Sequence, residues 1–157
     1  MKKEVVSVYV DNKANVLSRV VSLYGRRGFN IDSLTVSATN DPGISRITIV
    51  FEGDNLTLHQ IVAQTEKLEV VRSIKTLDGS KSFFRELLMI KVKADQSKRR
   101  EIKEIVDIFR AKIINHTKEE MVLELTGAPE KLDAFLDLIE DYEIVDICRT
   151  GVTGIEK

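Results

Sequence analysis

The sequence predicts an α+β protein made of two tandem ferredoxin-like units, each in the order β-α-β-β-α-β. Three observations carry this expectation. Hydrophobic periodicity alternates between the strand and the helix period in a fixed order. The same order then occurs a second time. A turn-rich stretch, Asp78-Gly79-Ser80-Lys81-Ser82, separates the two runs. The expected domains are 4–78 and 84–157, with 79–83 as linker.

The first unit opens with Glu4 to Val10, where Val6, Val8 and Val10 alternate with Val5, Ser7 and Tyr9 as in a strand. From Val16 the period changes. Val16, Leu17, Val20, Val21 and Tyr24 share one helix face. Arg26 and Arg27, followed by Gly28, fit a helix C-terminus. Ile31 to Ala38 reads as a strand, Thr39-Asn40-Asp41-Pro42-Gly43 as a turn, and Ile44 to Glu52 as the returning strand. Asn55 is placed to cap a helix from Leu56 to about Leu68, with Leu58, Ile61, Val62 and Thr65 inward. Val70 to Leu77 closes the unit as a strand.

The second unit follows the same plan. Glu86 to Lys93 is a strand, and Ser97 to Arg110 a helix with Ile102, Ile105, Val106 and Phe109 on one face. Lys112 to Thr117 and Met121 to Gly127 pair around Lys118-Glu119-Glu120. Pro129 at a first helical position starts a helix through Asp141, with Leu132, Phe135, Leu136 and Ile139 inward. Glu143 to Thr150 is the last strand.

Two helices cover one face of each sheet and leave the other open. In the first unit Val5, Ser7, Tyr9, Leu34 and Val36 are expected on the open face. An uncovered apolar sheet is a liability in a unit of about 75 residues. Side-by-side pairing of units within a homodimer is therefore expected.

Composition narrows the function classes. The chain has 157 residues, 43% hydrophobic and 31% charged, which is a globular balance. A net charge of -1 disfavours electrostatic nucleic-acid binding. The strand matching the base-stacking strand of an RNA-recognition module, Ile44 to Phe51, has an aromatic only at its end. No apolar run approaches the length that spans a bilayer, and Met1-Lys2-Lys3-Glu4-Val5-Val6 has no signal-peptide core. No membrane association is expected, and one cysteine points to a cytoplasmic location. Cys148, inside Ile144-Val145-Asp146-Ile147-Cys148, reads as a buried structural thiol. His59 and His116 read as surface residues, with no partner at metal-ligand spacing. No nucleophile elbow, P-loop or dinucleotide glycine pattern is present. Glu119, Glu120, Glu140, Asp141 and Glu143 sit at turns and a helix end, with nothing to mark a pocket. No catalytic group is expected.

The turn Asp11-Asn12-Lys13-Ala14-Asn15, entering the first helix, has two readings. The free N–H groups at Val16 and Leu17 make a helix N-terminus that suits an amino-acid carboxylate, and Asn12 offers both a carbonyl and an amide. Equally, Asn12 serves as a turn residue, Asn15 as an N-cap and Asn30 as a residue relaxing a helix end.

A longer string separates these readings. Asn12-Lys13-Ala14-Asn15-Val16-Leu17-Ser18-Arg19-Val20 continues through Arg27-Gly28-Phe29-Asn30-Ile31-Asp32-Ser33-Leu34-Thr35-Val36. It closely resembles the N-terminal ACT domain of the regulatory small subunits of acetolactate synthase, also called acetohydroxyacid synthase. The resemblance continues through Asp41 to Ile49, then at Arg85 to Val92, Phe109 to Ile114, Lys131 to Leu136 and Arg149 to Val152. It covers nearly the full chain.

The resemblance implies a non-catalytic subunit in branched-chain amino-acid biosynthesis. Such a subunit binds and activates a catalytic large subunit and confers feedback inhibition by valine. Thiamine diphosphate, Mg²⁺ and FAD are expected on the large subunit and no cofactor on this chain. Two ACT domains pair, with valine or a related branched-chain amino acid at their interface. Carried over by position, the site comprises Asn12, Asn15, Val16 and Leu17 of one protomer, with Asn30 and Ile31 facing from the other. The backbone N–H groups at Asn15, Val16 and Leu17 would take the carboxylate, with Asn12 and Asn30 assisting. The family usually has glycine where this chain has Asn15. A free-standing amino-acid-sensing module acting on another partner is the competing class.

Overall fold

The computed structural model describes residues 2–157, which form two compact units. The first unit runs β1 (Lys2–Asp11), α1 (Val16–Arg26), β2 (Ile31–Ala38), β3 (Ile44–Gly53), α2 (Asn55–Glu66) and β4 (Val71–Thr76). The second runs through β5 (Ser82–Lys93), α3 (Gln96–Phe109), β6 (Lys112–His116), β7 (Glu120–Gly127), α4 (Pro129–Ile139) and β8 (Ile144–Arg149). A further short strand, β9 (Thr153–Glu156), follows. The fold class is α+β with tandem ferredoxin-like units, as expected.

The first sheet has the order β2-β3-β1-β4, all neighbours antiparallel. Its register puts Val6 opposite Ile49 and Val8 opposite Ile47. These residues are fully buried with Val20 and Tyr24 of α1 and Ile61 of α2. Tyr24 meets Phe51 edge-on, with centroids 5.7 Å apart. Burial pushes the Tyr24 phenol up to about 12.

The second sheet repeats the order as β6-β7-β5-β8. Leu88, Ile90 and Val92 of β5 pack with Leu123 and Leu125 of β7, under Ile102 and Val106 of α3 and Leu132, Phe135 and Ile139 of α4. Phe109 and Phe135 make an edge-on pair at 5.4 Å. β9 pairs with β5, whose first residues Ser82 and Phe83 belong to the first unit.

Several expectations need correction. In α1 it is Leu23, not Leu17, that joins the buried face, while Leu17 is 39% exposed. Val16, Val20, Leu23 and Tyr24 are the tighter stripe at the helical period. The cap of α2 is Asp54, whose carboxylate accepts the Thr57 N–H at 2.8 Å, and Asn55 is already helical. Leu34 and Val36 lie opposite Ile49 and Ile47 and so face the helices. The β2 residues on the open face are Ser33, Thr35 and Ser37, paired with Val50, Thr48 and Arg46. Cys148 is exposed, because β8 is an edge strand and is open along most of its length. Finally, Val152–Lys157 belongs to the first unit rather than to the expected 84–157 domain.

Candidate functional site

The β1–α1 turn is fixed by backbone hydrogen bonds on both sides. The Asp11 N–H donates to Val70 O and the Asn12 N–H to Gly43 O, both at 2.9 Å. The Asn12 side-chain amide donates to Pro42 O at 3.0 Å, which clasps the β2–β3 turn. The Arg72 guanidinium, 2.6 Å from Asp11, holds that carboxyl below the usual carboxylate range. The turn then passes into the helix through Asn15, at φ 67° and ψ 0°. This is the left-handed region, which asparagine tolerates better than any other side chain except glycine's hydrogen.

The helix beyond Asn15 has no side-chain cap. Its first N–H groups, from Val16 onward, have no intrahelical acceptor by geometry. α2 and α3 differ, and α4, though also without a side-chain cap, starts on a proline. The α2 donors are met by Asp54 and the α3 donors by Asp95, which accepts from Ser97 N and Lys98 N at 3.0 Å each. α4 begins with Pro129, which has no N–H to satisfy. In the second unit the turn equivalent to β1–α1 is thus closed by its own carboxylate. In the first unit that place is open.

The open end of α1 faces a cleft of about 420 Å³. Asn15 and Val16 line it, as do Asp11, Lys13, Arg19 and Glu69. Of the expected residues, Asn15 and Val16 are therefore at the cleft, while Asn12, Leu17, Asn30 and Ile31 do not line it. Asn12 is exposed beside it, with its amide engaged by Pro42. Leu17 points outward. Asn30 is exposed, just past Gly28, which takes φ +71° so that the Phe29 N–H can return to Tyr24 O. Ile31 opens β2 and packs against the first core.

Arg19 and Glu69 were not anticipated. Arg19 lies four residues beyond Asn15 and was open to inference from helical spacing. Glu69 comes from the α2–β4 connection and reaches the cleft only through the pairing of β1 with β4. Two cations, two carboxylates and free N–H donors around one cleft suit a zwitterion such as an α-amino acid. Among the described residues no cluster of three His, Cys, Asp or Glu side chains could hold a metal ion. No described helix is long and apolar enough to cross a membrane.

The chain is similar to known proteins over its whole length. Residues 6–73 match the family described as an AHAS small subunit-like ACT domain, and residues 85–157 the family described as the small subunit of acetolactate synthase. A probable acetolactate synthase small subunit of Archaeoglobus fulgidus is 43% identical, covering 99% of this chain and 97% of that protein. The acetolactate synthase isozyme 3 small subunit of Escherichia coli is 40% identical, covering 99% and 96%. The crystal structure of the acetolactate synthase small subunit from Thermotoga maritima matches with a TM-score of 0.92 at 38% identity, covering 100% and 98%.

Proposed function

The chain belongs to the acetolactate synthase small-subunit family, and from that premise we propose that it is the valine-sensing regulatory subunit of that enzyme. It binds a catalytic large subunit, where the active site lies, raises its activity and makes it sensitive to valine. The observation that carries the sensing role is the α1 N-terminus: uncapped, entered through a left-handed Asn15 and open to a cleft bearing Arg19 and Glu69. The amino-acid carboxylate takes the N–H donors at Asn15 and Val16, and the ammonium pairs with Glu69.

Two first units pair, and Asn30 and Ile31 of one approach the turn of the other. Valine favours one packing of that pair. The preference reaches the large subunit as a coupling free energy, typically about 1–3 kcal/mol, and the large subunit alters valine affinity by the same factor. Calorimetry of the purified chain with valine, leucine and isoleucine tests the first step. Heat with valine is expected. No heat with any of the three sinks the effector role and leaves the subunit role standing. Reconstitution with the large subunit tests that role separately, and no stimulation of its turnover removes it.

A further inference from the structure

Residues Val152–Lys157 lie across the open face of the first sheet, paired as β9 with β5 and held by side chains of that face. The Val152 N–H donates to Ser33 Oγ at 2.7 Å, and Thr35 Oγ1 donates to the Val152 carbonyl at 3.0 Å. Arg46 donates to the Gly154 carbonyl, and its guanidinium sits 5.5 Å from the centroid of the Tyr9 ring. Lys75 pairs with Glu156 at 3.2 Å. The segment's partners belong to β2, β3 and β4, in the spatial order of the sheet, and Tyr9 of β1 lies beside Arg46. Residues 152 to 156 in extended form span about 13 Å, and four strands span about 14 Å. The segment therefore crosses the sheet from edge to edge.

Its seat is polar. Val152 and Gly154 are buried, but Ile155 is 59% exposed, and none of Val152–Lys157 belongs to the first core. On the covered face Val5, Ser7, Thr48 and Val50 are all buried. The cover leaves Ser7 Oγ and Arg46 Nε buried with no hydrogen-bond partner among the described residues. Unmet polar atoms offset part of what the seated contacts contribute. Local opening of such a segment breaks its pairing with β5 and leaves the contacts of the first core intact.

The two Val152 hydrogen bonds land on Ser33 and Thr35, directly after Asn30 and Ile31. We propose that Val152–Lys157 is a releasable strap whose seating on Ser33, Thr35 and Arg46 orders β2 and so strengthens effector binding at the first unit. The linkage to effector rests on the valine-site reading above, whereas the strap does not. A ligand that needs β2 ordered binds the strapped form more tightly, and by reciprocity it holds the strap down.

The test uses the full-length chain in two variants: Ser33→Ala with Thr35→Val, which alters the seat, and Val152→Gly, which alters the strap. Hydrogen exchange is followed in β2, with β7 and α4 as folding controls, and valine is titrated calorimetrically. Both variants are expected to exchange β2 amides at least about tenfold faster, with the controls unchanged, and to bind valine about threefold or more weakly. Unchanged β2 exchange in both overturns the strap, whatever valine does. Faster β2 exchange with unchanged valine affinity overturns the linkage. No heat from valine with the parent chain overturns the effector reading instead, and β2 exchange then decides the strap alone.

Discussion

Arg149 holds Glu86 in a two-bond grip, Nε to Oε1 at 3.0 Å and Nη2 to Oε2 at 2.5 Å. Glu86 is 5% exposed, at the start of the central strand of the second unit. Arg149 also reaches Asp133 at 2.8 Å, tying β8 to α4. These partners, Glu86 above all, raise the Arg149 guanidinium further above its ordinary range. Removing Glu86 leaves the Arg149 guanidinium with Asp133 as its one remaining carboxylate. Glu86→Ala should therefore lower unfolding stability by about 2–4 kcal/mol in urea titrations. The double change Glu86→Leu with Arg149→Met should recover most of that loss. If the double variant is as unstable as the single one, the cost came from packing and not from the charge left at Arg149.

Asn15 stands in the left-handed region at the mouth of the cleft. Alanine there should cost about 1 kcal/mol of stability, because a Cβ is unfavourable at positive φ. Asn15→Gly should keep the parent's melting temperature and bind valine at least as tightly, since it frees the backbone and removes an amide beside the cleft. Weaker valine binding by the glycine variant would show that the Asn15 side chain itself contacts the ligand.

Asn12 donates its amide to Pro42 O. Asn12→Ala should cost about 0.5–1 kcal/mol and loosen the β2–β3 turn, as seen in exchange at Gly43 and Ile44. Its effect on valine affinity should be smaller than that of a change at Arg19 or Glu69. A larger effect returns Asn12 to the ligand's contacts.

Asp95 illustrates the acid response of the helix caps. The Ser97 hydroxyl above all, with the backbone N–H groups of Lys98 and Ser97, holds its carboxyl below the ordinary value of 3.8. A depressed carboxyl contributes stability that is fully present above that value and is lost as pH falls through the folded pKa. Melting temperature should thus fall more steeply below pH 3.8 in the parent than in Asp95→Asn, which keeps an acceptor without a proton to gain. Equal slopes would remove Asp95 from the acid transition.

Asn30→His should weaken valine inhibition without removing stimulation of the large subunit, because Asn30 is exposed and outside the core. Steady-state assays of the reconstituted enzyme, with and without valine, check this. Loss of both responses together would argue against Asn30 as a ligand contact.

Element order was readable in the sequence because each element needs only its own periodicity and stop signals. Val6, Val8 and Val10 alternate, Val16 begins a helical stripe, and Gly28 ends it. Errors fell where neighbours in space decide. Leu34 and Ser33 exchange faces because β2 shifts register between Ile31 and Ser33, a bulge with no local signature. Cys148 sits in an apolar run that turns out to be an open edge strand. At the cleft, Asn15 and Val16 were legible through the turn chemistry, whereas Glu69 enters from a distant connection.

The sequence by itself determined the two βαββαβ units and most of their cores, since local periodicity and glycine placement are properties of short windows. Only the tertiary structure decided that the chain's end returns to cover the first sheet. Val152 finds Ser33 and Thr35 across more than a hundred positions of chain. Pairing of that kind depends on which side chains the assembled sheet presents together, and no short window records it.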